Sequence, residues 1–221
     1  MTMEVKICGI LDRRVARIAV EAGAGALGFV FADSPRRIEP EVAAGIAADI
    51  DPQVARVAVF RNPTAEEVLR VLDVFSADIV QAEPGPGLAA VMARGGRVLP
   101  VLHDGESASK LEDRLAGAPT PVLLEAAGIG GRGIRPDWDR AAELARRLPL
   151  VLAGGLTPGN VRDAIRHVGP LAVDVSSGVE SSRGVKDPER IRAFLLAARA
   201  GRATGERTAS RSGPIFERAS R

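Results

Sequence analysis

The chain has one cysteine, no tyrosine and one tryptophan among its 221 residues. A lone thiol excludes an internal disulfide and the stapled small-domain class that depends on several. Aromatic residues make up only 3% of the chain, so the stacking platforms that hold single-stranded nucleic acid are not evident. No apolar stretch approaches the roughly 18 residues needed to cross a bilayer. Met1-Thr2-Met3-Glu4 carries neither the basic region nor the apolar segment of a secretory leader. A reduced, cytoplasmic setting is therefore expected, with no membrane partner and no nucleic-acid partner.

What net positive charge there is lies at one end. Residues 201–221 hold five arginines and two glutamates, a net of +3, which leaves −1 for residues 1–200 of a chain whose total is +2. That tail is rich in Gly, Ser, Thr and Arg without apolar periodicity, so it is expected to be disordered. The folded body is assigned to residues 1–200.

Within the body a strand-then-helix unit repeats. Short apolar runs at Val5–Cys8, Ala26–Phe31, Ala55–Phe60, Ile79–Gln81, Val98–Leu102, Val122–Glu125, Leu150–Ala153 and Leu171–Val175 read as strands. Amphipathic segments follow each run, among them Asp12–Ala22, Pro40–Ala48, Ala65–Phe75, Ser107–Leu115, Asp137–Arg147 and Pro158–Val168. Thr64, Thr157 and Asp187 stand where helix caps belong, and Pro40, Pro158 and Pro188 at first-turn positions. Strands without polar alternation are those covered on both faces. Eight such units favour a single (β/α)8 barrel over the competing open doubly wound sheet.

A barrel places its chemistry after the C-terminal ends of its strands, and the unusual residues of this chain cluster there. Cys8 ends the first run. Glu125 ends the sixth, where a carboxyl at an apolar strand end acquires a raised pKa suited to a general acid. Gly154-Gly155 follows the seventh run and Ser176-Ser177-Gly178 the eighth, the two loops that build a phosphate site in many barrels. Arg36, after the second run, can grip a carboxylate with two donors. Each feature has a plainer reading: Cys8 as a core thiol, Glu125 as a rim carboxylate, the glycines as tight turns and Arg36 as a solvated surface cation. Their joint placement is what favours the chemical one.

In this order the pieces resemble the phosphoribosylanthranilate isomerase family of tryptophan biosynthesis. The matching segments include Lys6-Ile7-Cys8-Gly9, Gly28-Phe29-Val30-Phe31 with Ser34-Pro35-Arg36, Gly130-Gly131-Arg132-Gly133, Gly154-Gly155-Leu156 and Asp174-Val175-Ser176-Ser177-Gly178-Val179-Glu180. The similarity runs from about residue 4 to residue 196. The resemblance implies a (β/α)8 barrel with neither metal nor organic cofactor, acting on a small phosphoribosyl substrate by an Amadori rearrangement. It implies Cys8 as general base and Glu125 as general acid, with Arg36 on the anthranilate carboxylate and Asp174 on a ribose hydroxyl or the reacting nitrogen. Gly155, Ser176, Ser177 and Gly178 would hold the phosphate, with Gly131 and Gly154 completing the substrate-binding set.

Two departures stand out. The family acid is usually aspartate, and Glu125 is one methylene longer. After strand four the family reads Gln-Leu-His-Gly, whereas this chain reads Gln81-Ala82-Glu83-Pro84-Gly85 and lacks the histidine. A barrel isomerase on another phosphoribosyl substrate and a sugar-phosphate binder without turnover are the rival readings. Monomer and homodimer both stay open.

Overall fold

The computed structural model describes residues 3–106, 121–126, 134–202 and 215–216. The chain runs β1 (Glu4–Cys8), α1 (Arg13–Glu21), β2 (Ala26–Val30), α2 (Pro40–Ala47), β3 (Ala55–Val59), α3 (Ala65–Leu72), β4 (Ile79–Ala82), α4 (Pro86–Ala93) and β5 (Val98–His103). It continues through β6 (Val122–Glu125), α5 (Trp138–Ala145), β7 (Leu150–Leu152), α6 (Val161–Val168), β8 (Ala172–Val175), a 3-10 turn (Ser177–Val179), β9 (Glu180–Ser182), β10 (Val185–Lys186) and α7 (Pro188–Arg202). Strands β1 to β8 form a closed barrel in sequence order, with β1 parallel to both β2 and β8. That closure excludes the open doubly wound sheet. The helix expected over Ser107–Leu115 and the glycine loop containing Gly131 lie outside the described residues.

Side chains alternate along each strand, and the alternation divides the core in two. Val5, Ile7, Leu27, Phe29, Leu124, Leu152, Val173 and Val175 face the helices. Ala26, Ala55, Val57, Ile79, Leu99, Val101, Leu123, Val151 and Ala172 fill the barrel interior together with Cys8. The same parity sends Lys6, Gln81, His103, Glu125 and Asp174 inward. Charged groups thus enter an otherwise apolar interior by strand register alone.

Helix entries follow from local chemistry. Asp12 accepts the Val15 N–H at 2.8 Å, and Thr64 with Glu67 forms a reciprocal capping box. Asp187 accepts the Glu189 and Arg190 amides at 2.9 and 3.2 Å. Helix α6 begins at Val161 and not at Pro158. Asn160 accepts the Thr157 N–H at 2.8 Å and donates to the Gly155 carbonyl at 2.9 Å, which keeps Thr157-Pro158-Gly159 in the loop.

The expectation of a wholly disordered tail requires correction at two residues. Ile215 and Phe216 are buried in the barrel-interior cluster. Composition missed them because two apolar residues are too few to show a period. The boundary at residue 200 also moves slightly, since α7 continues to Arg202.

Candidate active site

The site begins with β1, whose inward residues toward the mouth are Lys6 and Cys8. Lys6 is fully buried, and its Nζ donates to Asp174 Oδ1 of β8 at 2.9 Å. Gly28 makes room for both β1 side chains, because a Cβ there would stand 3.0 Å from Cys8 Sγ and 3.0 Å from Lys6 Cε. Burial pulls the Lys6 ammonium down, but the charges of Asp174 and Cys8 outweigh it and its pKa ends above the ordinary value. Burial pushes the Cys8 thiol up, while Lys6 beside it pulls the other way without cancelling the rise. The free thiol is therefore a buried, protonated group with a cation at its side.

A second network stands behind the thiol. Arg36 was expected to meet a ligand carboxylate; here it meets one of the chain's own. Its Nε donates to Glu180 Oε1 at 2.7 Å and its Nη2 to Oε2 at 2.9 Å, the two-pronged geometry of a strong carboxylate grip. Lys186 Nζ donates to the same Oε1 at 2.8 Å and to the Ser176 carbonyl at 3.0 Å. Ser176 Oγ in turn donates to the Cys8 carbonyl at 3.1 Å, so the chain from Arg36 ends on the backbone of the thiol residue. Burial disfavours the Glu180 anion, yet Arg36, Lys186 and the Gly184 N–H hold its pKa down to about 2. Sequence reading missed Glu180 and Lys186 as a pair, because the β9–β10 hairpin that joins them is only a few residues long.

Across the mouth stands Glu125. Burial pushes its carboxyl up, and the Asp174 charge adds to the rise while His103 and Lys6 oppose it. Asp174 and Lys6 act on both Cys8 and Glu125, so this ion pair is the electrical link between the two groups. The residue in place of the missing family histidine, Glu83, does not carry its charge unanswered. Its Oε2 accepts the Asn62 N–H at 3.0 Å and its Oε1 lies 3.5 Å from His103 Nε2. His103 pairs in register with Glu125, so a histidine is present one strand away from where the family places it. The expected strand stopped at Leu102, one residue short of it. The signal was there: a polar residue ending an apolar run, as at Cys8 and Glu125.

The loops after β7 and β8 meet. Gly154 and Gly155 hold φ of +83° and +61°, values that favour glycine. Ser177 and Gly178 open the 3-10 turn after β8, where a Gly178 Cβ would stand 1.8 Å from the Leu156 carbonyl oxygen. The Gly178–Leu156 contact thus brings the loop of Gly154 and Gly155 against that of Ser176, Ser177 and Gly178.

A closed barrel carrying a buried thiol and a half-buried carboxyl inward at its mouth, linked by a shared ion pair, is a barrel enzyme. A family model described as N-(5'-phosphoribosyl)anthranilate (PRA) isomerase matches residues 5–197. The N-(5'-phosphoribosyl)anthranilate isomerase of Roseiflexus sp. (strain RS-1) is 44% identical over 213 residues, covering 90% of this chain and 98% of the relative. A phosphoribosyl anthranilate isomerase crystal structure from Thermus thermophilus is 36% identical, with a TM-score of 0.79 over 88% of this chain and 98% of that one. Another, bound to reduced 1-(o-carboxyphenylamino)-1-deoxyribulose 5-phosphate, is 38% identical with a TM-score of 0.75 over 89% and 98%. The chain belongs to the N-(5'-phosphoribosyl)anthranilate isomerase family.

Proposed function

We propose that this chain converts N-(5'-phosphoribosyl)anthranilate into 1-(2-carboxyphenylamino)-1-deoxyribulose 5-phosphate, the Amadori step of tryptophan biosynthesis. The observation that carries the reading is the thiol and carboxyl held on either side of the Lys6–Asp174 pair, in a member of this family. The reaction needs a group that begins protonated and one that accepts a proton. Glu125, with its raised pKa, donates its proton to the furanose ring oxygen. The C1–O bond breaks as the nitrogen lone pair closes on C1 to give an iminium. The Cys8 thiol first gives its proton to solvent, and the resulting thiolate removes the proton from C2; that C–H electron pair forms the C1–C2 double bond while the iminium electrons return to nitrogen. The resulting enolamine takes a proton at C1 and releases the proton of its C2 hydroxyl, becoming the ketone at C2.

Lys6 stabilises the Cys8 thiolate as it forms, and Asp174 keeps Lys6 in place while offering its carboxylate to a ribose hydroxyl or the reacting nitrogen. Arg36, held by Glu180, supplies positive charge to the anthranilate carboxylate, and His103 adds a donor on the Glu125 side. The phosphate rests on the rim of Gly154, Gly155, Ser176, Ser177 and Gly178. The substrate side is thus a small phosphoribosyl compound.

Purified protein given freshly made phosphoribosylanthranilate should abolish its fluorescence with saturation kinetics. Cys8→Ala and Glu125→Ala should each lower kcat/KM by about 100-fold or more. Absence of turnover in the unaltered chain overturns the assignment. Turnover of the histidine-pathway aminoaldose in its place selects the related barrel isomerase.

A further inference from the structure

The far end of the barrel, opposite the active site, holds the chain's own tail. The first inward residues of β2, β3 and β8 are Ala26, Ala55 and Ala172, side chains too small to fill the floor. Ile215 and Phe216, exposed by only 4% and 1%, occupy that space and pack with them. Two charged residues whose parity also turns inward at this end read the tail's backbone. Both Glu4 oxygens are used, Oε1 accepting the Ile215 N–H at 2.8 Å and Oε2 the Phe216 N–H at 2.8 Å. Arg97, just before β5, donates from Nη2 to the Ile215 carbonyl at 2.5 Å.

We propose that the barrel floor is a binding site for this apolar dipeptide, and that the tail acts in cis as a plug tying β1 to β5. The polar contacts are to backbone, so the site reads the main chain of a segment that bends there and bears two large apolar side chains. Docking in cis follows from geometry. In a β/α unit the helix runs back antiparallel to its strand, so α7 ends at the floor. The 12 residues between Arg202 and Ile215 can reach about 40 Å when extended, more than a small barrel's floor requires. The tail lies outside the family match, which ends at residue 197; of the relatives, the Roseiflexus enzyme and the Thermus thermophilus structure use 90% and 88% of this chain, while another aligns with 97% of it. The plug therefore lies outside the part of the chain that the family model matches. Its role is to stabilise the floor while leaving the mouth untouched.

Hydrogen exchange of the full chain tests this at the amides of residues 215 and 216. They should be protected, and Glu4→Ala should strip that protection. Phe216→Ala should lower Tm by about 5–10 °C, as expected for emptying an aromatic site in a domain of this size, with kcat/KM unchanged within about twofold. Protection should be the same at low and high protein concentration. Loss of protection on dilution would mean the segment docks in a second copy and would overturn the cis plug. Rapid exchange at both amides in the unaltered chain, or an unchanged Tm in both Phe216→Ala and Phe216→Asp, would overturn the site itself.

Discussion

Glu125 is placed where it costs the fold and serves the chemistry. Its folded pKa is raised, first by burial and then by Asp174, so ionising it at neutral pH is unfavourable in the native state compared with the unfolded chain. Glu125→Gln removes that ionisation and keeps the shape. Stability at pH 7 should therefore rise, while kcat falls by about 10²–10⁴-fold because the proton donor is gone. The sign of the pH dependence is definite: the gain is present above the raised folded pKa and vanishes below the ordinary carboxylate value, where wild type is also neutral. Denaturant midpoints at pH 7 and pH 4 would check it, and a variant less stable than wild type at pH 7 would refute it. Glu125→Asp, which restores the usual family residue, should keep the activity within reach of wild type.

Elements were legible in the sequence to the extent that burial was uniform along them. The eight strands could be read because each is a continuous apolar run, which only a sheet covered on both faces requires. Cys8 and Glu125 could be read because a polar group ending such a run is out of place unless it has a partner. What escaped was built from long-range pairing. Glu180 meets Arg36 across 144 residues of sequence and Lys6 meets Asp174 across 168, and neither separation leaves a periodic trace. His103 escaped by one residue of strand length.

The loops after β7 and β8 were legible as glycine-rich, but not their contact. Gly178 presses so close to Leu156 that any Cβ would have to displace backbone. Gly178→Ala should part the two loops and weaken anion binding by the loss of amide hydrogen bonds to a charged group, about 1.5–3 kcal/mol. That corresponds to a KM rise of about 10–150-fold with a smaller change in kcat. Steady-state kinetics on the phosphorylated substrate would decide; an unchanged KM would remove these loops from the phosphate site.

At the scale of the molecule, Glu180 joins three parts of the chain: the β9–β10 hairpin that bears it, Arg36 after β2, and through Lys186 and Ser176 the end of β1. Its pKa is held down to about 2, against an ordinary 4.5, by those partners despite its burial. A carboxyl with a depressed folded pKa contributes stability that is whole above the unfolded value and drains away as pH falls from there to the folded value. The barrel should thus lose stability between about pH 4.5 and pH 2, beyond what its exposed carboxylates account for. Glu180→Gln isolates the contribution. At pH 7 the variant should be clearly less stable than wild type, since Arg36 and Lys186 remain buried without their anion. The gap between the two should close steadily as the pH is lowered through that window, because protonation makes wild type resemble the variant. Unfolding midpoints measured at pH 7, 5 and 3 test this directly, and a gap that stays constant would show that Glu180 acts through shape and not through charge. Because the same carboxylate orients Arg36 at the mouth, acid loss of stability and acid loss of substrate affinity should occur over one range of pH.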